Sequence, residues 1–99
     1  MIDLSRIIGF EWDSGNARKN DKHHVVAAEA EQIFFDPKIL LVDDSRHSGN
    51  EPRFQALGCT EAERLLHVSY TLRNGNTLIR VISARDASRK ERKWYEDQT

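Results

Sequence analysis

The chain has 99 residues, of which 38% are hydrophobic, and a formal net charge of −1 at pH 7. A chain of this length buries one small core, so we expect a single domain over residues 1–99. No apolar run approaches the roughly 20 residues of a membrane-spanning helix, and residues 1–12 lack a signal-peptide pattern, which favours a cytoplasmic protein without a membrane partner. The single cysteine, Cys59, excludes an internal disulfide bond and a multi-cysteine metal site.

Charge is distributed unevenly between the two halves of the chain. Residues 1–52 hold 6 Lys or Arg against 10 Asp or Glu, a balance of −4, whereas residues 53–99 hold 9 against 6, a balance of +3. Such an asymmetry is typical of proteins whose basic part binds a polyanion. An ordinary solvated surface explains the same counts, so both interpretations stay open at this point.

The first predicted elements are a strand and a short helix. Residues 7–12 alternate between the two faces of a strand. The apolar side chains on one of these faces are Ile8, Phe10 and Trp12. Asp13 is expected to cap a short polar helix over residues 14–21.

A second helix is predicted at about residues 25–35. Its apolar side chains recur at the spacing of one helical face, at Val26, Ala30, Ile33 and Phe34. Pro37 is expected to end the helix, because the residue before a proline is disfavoured in the helical conformation. Residues 38–44 then predict a short strand, and residues 45–52 a polar loop.

Three strands are predicted in the second half of the chain, at about 53–60, 64–73 and 76–85. Asn74-Gly75 joins the last two and is the strongest short-range hairpin signal, because a type I′ turn needs a positive φ at both central residues. We therefore expect Arg73 to pair with Asn76. This register places Tyr70 opposite Ile79 on the apolar face of the sheet.

The strand at about 53–60 extends the same pattern, and a helix follows the last strand. The loop at 61–63 is expected to set Phe54 beside Tyr70. In the last helix Ser88 and Glu91 have the spacing of a capping box, and Trp94 or Tyr95 is expected to pack on the sheet edge. The order of elements predicts an α+β fold, in which an antiparallel sheet packs one face against two helices from the N-terminal half and a C-terminal helix.

The other face of the predicted sheet is polar. It is expected to carry Arg53, Gln55, His67, Ser69, Thr71 and Arg80, with Arg73 near the hairpin. Arg85 is expected on the core side, opposite Arg64 at the end of the sheet. Because the planar arginine fork binds phosphate bidentately and stays charged at neutral pH, an RNA site is one interpretation. Surface salt bridges with Glu51, Glu61 or Glu63 are the other.

A second candidate for chemistry is the loop that contains Lys22, His23 and His24. Each of these side chains is able to move a proton, and the histidines titrate near neutral pH. The two histidines point apart on an extended loop, and no third ligand has the spacing of a zinc site. We therefore expect no metal and no cofactor.

Six segments form a motif pattern over nearly the whole chain. They are "FEWD" at 10–13, "KHHV" at 22–25, "IFFDP" at 33–37, "HSGNEPRFQALG" at 47–58, "YTLR" at 70–73 and "IRVISARDASRKERKWYE" at 79–96. In this order they resemble the BrnT family of ribonuclease toxins. The resemblance implies a RelE-like fold, the toxin half of a type II toxin–antitoxin pair, and RNA cleavage that halts translation. It also implies a hetero-oligomer with a BrnA-type antitoxin, which carries the DNA-binding domain, so that the toxin reaches DNA only indirectly.

Carried over residue by residue, the resemblance implies a set of site residues. They are Lys22, His23, Glu51, Arg53, Thr71, Arg73, Arg80 and Arg85. The chain departs from the family pattern at His24, which stands where the family usually has a glycine. A loop that needs a positive φ at this position resists a histidine.

These residues predict a metal-independent endoribonuclease. RNA supplies its own nucleophile, the 2′-hydroxyl group, so the enzyme removes that proton, stabilises the phosphorane charge and protonates the departing 5′-oxygen. Arg53 and Arg80 are expected to stabilise the charge. Glu51 or His23 is the candidate base, and Lys22 or His23 the candidate acid. The residues expected to bind the RNA backbone are Ser69, Thr71, Arg73 and Arg85.

Two other functions remain open. A catalytically inactive module can use the same basic surface to hold an acidic segment of a partner protein. A DNA-binding repressor is the weaker alternative, because the sequence contains no helix-turn-helix or ribbon arm.

Overall fold

A computed structural model of the chain describes residues 4–21, 23–44 and 51–98. Its strands are β1 (Gly9–Glu11), β2 (Leu40–Asp44), β3 (Arg53–Cys59), β4 (Leu65–Arg73) and β5 (Leu78–Asp86). Its α-helices are α1 (Ser14–Asp21), α2 (Ala27–Gln32) and α3 (Arg89–Asp97), and single 3-10 turns lie at Leu4–Arg6 and Ile33–Phe35. The predicted α+β class is confirmed. None of the helices in these described ranges is long and apolar enough to cross a membrane.

The five strands form one open sheet in the order β1-β5-β4-β3-β2. Strands β2 to β5 are antiparallel neighbours, as expected, but β1 runs parallel to β5, with Phe10 opposite Ile79. No tight turn links β1 to β5, which are far apart in the chain, so local sequence does not determine their relative direction. In the predicted first strand Phe10 and Trp12 pack on the core, whereas Ile8 lies outside β1 and is 77% exposed.

Of the two predicted strand registers, one is confirmed and the other is wrong. Phe54 is paired with Tyr70 across β3 and β4, as predicted. The expected pairing of Arg73 with Asn76 is wrong, because Arg73 is opposite Leu78. The turn has four residues, 74–77, and the first three of them have positive φ values of 54°, 63° and 68°. Because the register differs from the expected one by two residues, the side chains at this end keep their predicted faces.

A β-bulge changes the facing of Arg85. The ladder between β4 and β5 shifts at Ser69 and Tyr70, where β5 contains one extra residue, Ile82. Beyond the bulge, each side chain of β5 lies on the face opposite to the one that simple alternation assigns. Arg85 is therefore opposite His67 on the polar face, and its expected position on the core side is wrong.

The main core lies on the other face of the sheet. Its buried residues are Val25, Ala30, Ile33, Ala56, Leu66, Val68, Tyr70, Ile79, Val81 and Ala84. Val25 takes the core position expected for Val26, because α2 begins at Ala27 and Val26 is its N-cap, with 61% of its surface exposed. The helix ends before Pro37, as expected.

Helix α3 packs on the polar face, so helices cover parts of both faces and the expectation of one covered face is wrong. Tyr95 is buried in a small second cluster with Leu57 and Leu65, whereas Trp94 is 44% exposed. The predicted capping box in the first turn of α3 is confirmed. The residues that pack α3 on the sheet lie near the ends of β3 and β4 that are farther from the hairpin.

Gly58 of β3 lies directly against the 3-10 turn at Ile33. A Cβ atom at Gly58 would lie 3.0 Å from the Ile33 carbonyl oxygen and 3.1 Å from its Cβ. We expect Gly58→Ala to lower the free energy of unfolding by about 1–3 kcal/mol, because a buried neighbour must shift. Urea unfolding measures this loss. Gly9→Ala is the control, because its added methyl group makes an ordinary 3.4 Å contact with Leu78. An equal loss of unfolding free energy in Gly9→Ala and Gly58→Ala would contradict the prediction.

Candidate functional site

The polar face of the sheet brings together most of the predicted site residues. We call it the arginine face, and it comprises Arg53, Gln55, His67, Ser69, Thr71, Arg73, Arg80 and Arg85. Strand alternation on β3, β4 and β5 puts these residues on one side, and the bulge adds Arg85 to them. Thr71 is buried and donates a 2.7 Å hydrogen bond to the Pro52 carbonyl oxygen, which anchors the start of β3.

At the hairpin end of this face, two arginines share one carboxylate. The Arg80 guanidinium group donates to Glu11 at 3.0 Å and to both oxygens of Asp13, at 2.9 and 3.1 Å. Arg73 pairs with Glu51 at 2.8 Å and lies 3.6 Å from the same Glu11 carboxylate. The hydrogen bond from Arg80 lowers the pKa of Asp13 and in return raises the pKa of Arg80. Both arginines are therefore held in place before any ligand arrives.

Asn16, which we did not predict, holds this end of the face together. Its side chain is buried, and its amide group donates to the carbonyl oxygens of Glu11 and Val81, each at 2.9 Å. Its side-chain oxygen accepts from the Asp13 backbone N–H group at 2.7 Å. Asn16 thus joins the end of β1 to β5 and sets Asp13 beside Arg80. The one local signal is an asparagine in the first turn of a helix, where its amide competes with helical hydrogen bonds.

At the other end of the face, Glu91 connects Arg85 with His67. The two oxygens of Glu91 accept a bidentate pair of hydrogen bonds from Arg85, at 2.8 and 2.9 Å. His67 Nε2 lies 3.8 Å from Glu91 Oε2 and 2.7 Å from Gln55 Oε1. Hydrogen bonding from Arg85, helped by the Ser88 backbone, lowers the pKa of Glu91 to about 2. Glu91 is therefore ionised at every physiological pH.

The loop with His23 and His24 does not lie beside Arg80. The backbone oxygens of both histidines accept hydrogen bonds from Arg64, at 3.4 and 3.0 Å. Arg64 is also paired with Asp86, the last residue of β5. Arg80 is six residues away on that strand, which corresponds to about 20 Å. Lys22, the other predicted residue of this loop, lies outside the described residues.

His24 adopts a φ of 55°, the left-handed conformation that favours glycine. We expect His24→Gly to raise the free energy of unfolding by about 0.5–1 kcal/mol, because glycine relieves the steric cost of this conformation. Thermal or urea unfolding measures the change. Glycine in place of the exposed Ala28, inside α2, is expected to lower stability instead, because glycine is a poor helix former. A gain at both positions or a loss at His24 would contradict this explanation.

The charges of the face are paired in this structure. Arg73, Arg80 and Arg85 each contact a carboxylate. The surface salt bridges that the sequence offered as an alternative to an RNA site therefore do form, and Glu51 is one of the predicted partners. A guanidinium group has five N–H donors, so an arginine in an ion pair still has donors for a phosphate. Further positive charge lies next to the face on α3, whose exposed basic residues are Arg89, Lys90, Arg92 and Lys93.

Fold and site together define a small α+β domain in which one sheet face presents arginine, histidine and carboxylate groups, the groups that bind and process a phosphodiester. Within the described parts of the chain, no three His, Cys, Asp or Glu side chains are grouped as metal ligands. Residues 12–91 match the family model described as "Ribonuclease toxin, BrnT, of type II toxin-antitoxin system", and the chain belongs to this family. No curated protein matches the chain.

The match covers nearly the whole chain and confirms the family that the six motif segments indicate. A ribonuclease toxin of a type II system has RNA as its substrate and an antitoxin protein as its partner. The roles of the individual residues on the arginine face are not part of this match and are proposed below.

Proposed function

We propose that the chain is a metal-independent endoribonuclease of the cytoplasm, which cleaves RNA through attack of the 2′-hydroxyl group and thereby inhibits translation. The observation that supports this most strongly is the pre-arranged pair of Arg73 and Arg80 on one sheet face, in a chain of the BrnT family. Two fixed cations beside each other suit the charge that develops on a phosphorane.

The roles follow from position on the arginine face. Arg80 and Arg53 stabilise the phosphorane charge, and the RNA backbone is bound by Ser69, Arg73 and Arg85. Thr71, predicted to share this role, is buried and anchors the start of β3 instead. Glu51 is the better placed candidate for the base that removes the 2′-hydroxyl proton, because its carboxylate is 50% exposed and lies next to Arg73 on this face. The other candidates for proton transfer are His23, which lies in a loop near the far end of β5, and Lys22. The RelE-like fold implied by the resemblance stays a prediction.

The antitoxin in this proposal is a BrnA-type protein that covers the basic surface and supplies the DNA contacts of the complex. The exposed basic residues of α3 support this, because they offer charge to an acidic segment. Co-expression with the neighbouring open reading frame should give a hetero-oligomer that survives purification and releases no ribonuclease activity. An active complex would contradict neutralisation by this partner.

Labelled RNA incubated with the purified chain in EDTA tests the nuclease. We expect internal cuts that leave 5′-hydroxyl ends, since the 2′-oxygen displaces the 5′-oxygen and no metal-bound water is involved. Cleavage that stops in EDTA would contradict the metal-independent mechanism, and 5′-phosphate ends would contradict attack by the 2′-hydroxyl group.

A catalytically inactive binding module remains a second candidate. It is favoured by the carboxylates that already occupy Arg73, Arg80 and Arg85. The same assay separates the two functions, because intact RNA together with tight binding of the antitoxin is the result expected of a module.

A further inference from the structure

His67 lies among groups that suit proton transfer. Its side chain is 13% exposed. Described groups near it include Gln55 on β3, Arg85 on β5 and Glu91 on α3. Both Gln55 and Glu91 place an oxygen near Nε2, at 2.7 and 3.8 Å. A carbonyl oxygen and a carboxylate beside one ring nitrogen stabilise the protonated, positively charged ring.

We propose that His67 is a catalytic residue of the RNA cleavage, the general acid that protonates the departing 5′-oxygen, with Gln55 and Glu91 as its positioning residues. This inference rests on the proposed function and gives the acid role to His67 in place of Lys22 or His23.

The pairing of Glu91 with Arg85 explains why the Glu91 carboxylate stabilises protonated His67 without taking its proton. The fork of Arg85 holds both Glu91 oxygens, and Glu91 also accepts from the Ser88 backbone at 2.8 Å. A carboxylate fixed by three hydrogen bonds is a weak base, so the proton stays on the imidazole ring. Arg85 thereby acts on His67 through Glu91.

The middle of the arginine face carries two short side chains. Ser69 and Ser83 are paired there, with short side chains, between the His67 end and the Arg80 end. On β4, His67 and Thr71, the partner of Arg80, are each two residues from Ser69, which corresponds to about 7 Å. A phosphate above the two serines therefore lies within reach of the longer side chains at both ends.

The proposed step balances. The 2′-oxygen loses its proton to the base and bonds to phosphorus, and the bond from phosphorus to the 5′-oxygen breaks with its electron pair going to that oxygen. The 5′-oxygen takes the proton from protonated His67. The products are a 2′,3′-cyclic phosphate and a 5′-hydroxyl end, and His67 regains its proton from solvent.

The test compares two labelled RNAs under single-turnover conditions in EDTA. One has an ordinary linkage, and the other has sulfur in place of the 5′-bridging oxygen, a leaving group that needs no acid. We expect His67→Gln to cleave the ordinary RNA about 10²-fold more slowly than the wild type. We expect it to cleave the sulfur-substituted RNA at nearly the wild-type rate. Thermal unfolding checks that the variant is folded at the assay temperature.

The dependence of the rate on pH gives a second readout. The wild-type rate should fall as the pH rises and His67 loses its proton, and this fall should be absent in His67→Gln. Arg6→Ala, which changes an exposed residue outside the arginine face, should keep the pH dependence of the wild type.

Each outcome separates the inference from the proposed function. If His67→Gln is slow on both RNAs, or cleaves the ordinary RNA at more than half the wild-type rate, His67 is not the acid although the nuclease function stands. If the wild type cleaves neither RNA, the proposed function fails and the inference fails with it.

Discussion

Arg80→Ala is expected to lower RNA cleavage by about 10²–10³-fold, the usual effect of removing one donor that stabilises developing charge. The Arg80 side chain is only 17% exposed and is held by Glu11 and Asp13, so its guanidinium group is placed before RNA binds. Loss of this group removes the positive charge and leaves two carboxylates that repel the phosphate. The rate of cleavage of labelled RNA measures the effect, and expression in growing cells should no longer arrest growth.

Arg6→Ala is the matched control for this prediction. Arg6 is an exposed arginine in the 3-10 turn that precedes β1, outside the arginine face, so its loss removes one positive charge without touching the site. We expect wild-type cleavage and growth arrest from the control. Thermal unfolding should show that both variants are folded at the assay temperature. Growth arrest by folded Arg80→Ala at the wild-type level would rule out the assigned role.

Glu91→Gln is expected to lower the free energy of unfolding by about 2–3 kcal/mol at neutral pH. The folded state lowers the pKa of Glu91 from its usual 4.5 to about 2, mainly through the two hydrogen bonds from Arg85. A lowered carboxylate pKa means that the folded state binds this proton more weakly than the unfolded state. The stabilisation is therefore present above pH 4.5 and is lost as the pH falls towards 2.

Urea unfolding at a series of pH values measures this prediction. The wild type should lose stability steadily between pH 4.5 and 2, and the loss should be smaller in Glu91→Gln, because glutamine does not titrate. Glu61→Gln is the control, since Glu61 is an exposed residue of the turn between β3 and β4. Equal acid profiles for the wild type and Glu91→Gln would show that Glu91 does not stabilise the fold through its charge.

Much of the fold was predictable wherever neighbouring residues decide the structure. The register of Phe54 with Tyr70 follows from a short loop, and the capping box of α3 from two residues in one turn. The hairpin at Asn74-Gly75 was predicted, but its turn has three consecutive positive φ values where a type I′ turn has two. The difference arises because Thr77, which is hydrogen-bonded to Asn74 at 2.7 Å, belongs to the turn as a fourth residue.

The residues of the arginine face were predictable from the sequence, but the carboxylates that pair with its arginines were not. Alternation along β3, β4 and β5 places Arg53, Ser69 and Arg80 on one face, and the family motifs indicate several of the same residues. The carboxylates that hold the arginines were mostly missed. Arg80 reaches Glu11 and Asp13 across 69 and 67 residues of sequence, and no local pattern encodes such a contact.

The sequence by itself determined the family, the α+β class and the polar character of one sheet face, because motifs, hydrophobic periodicity and strand alternation are local properties. Only the tertiary structure decided that β1 runs parallel to β5, since no turn links the two strands. It also decided that Arg85 faces His67, because one extra residue in β5 reverses the alternation beyond it. A bulge has no reliable signal in a single strand, as it forms only where two strands of a sheet adjust to each other.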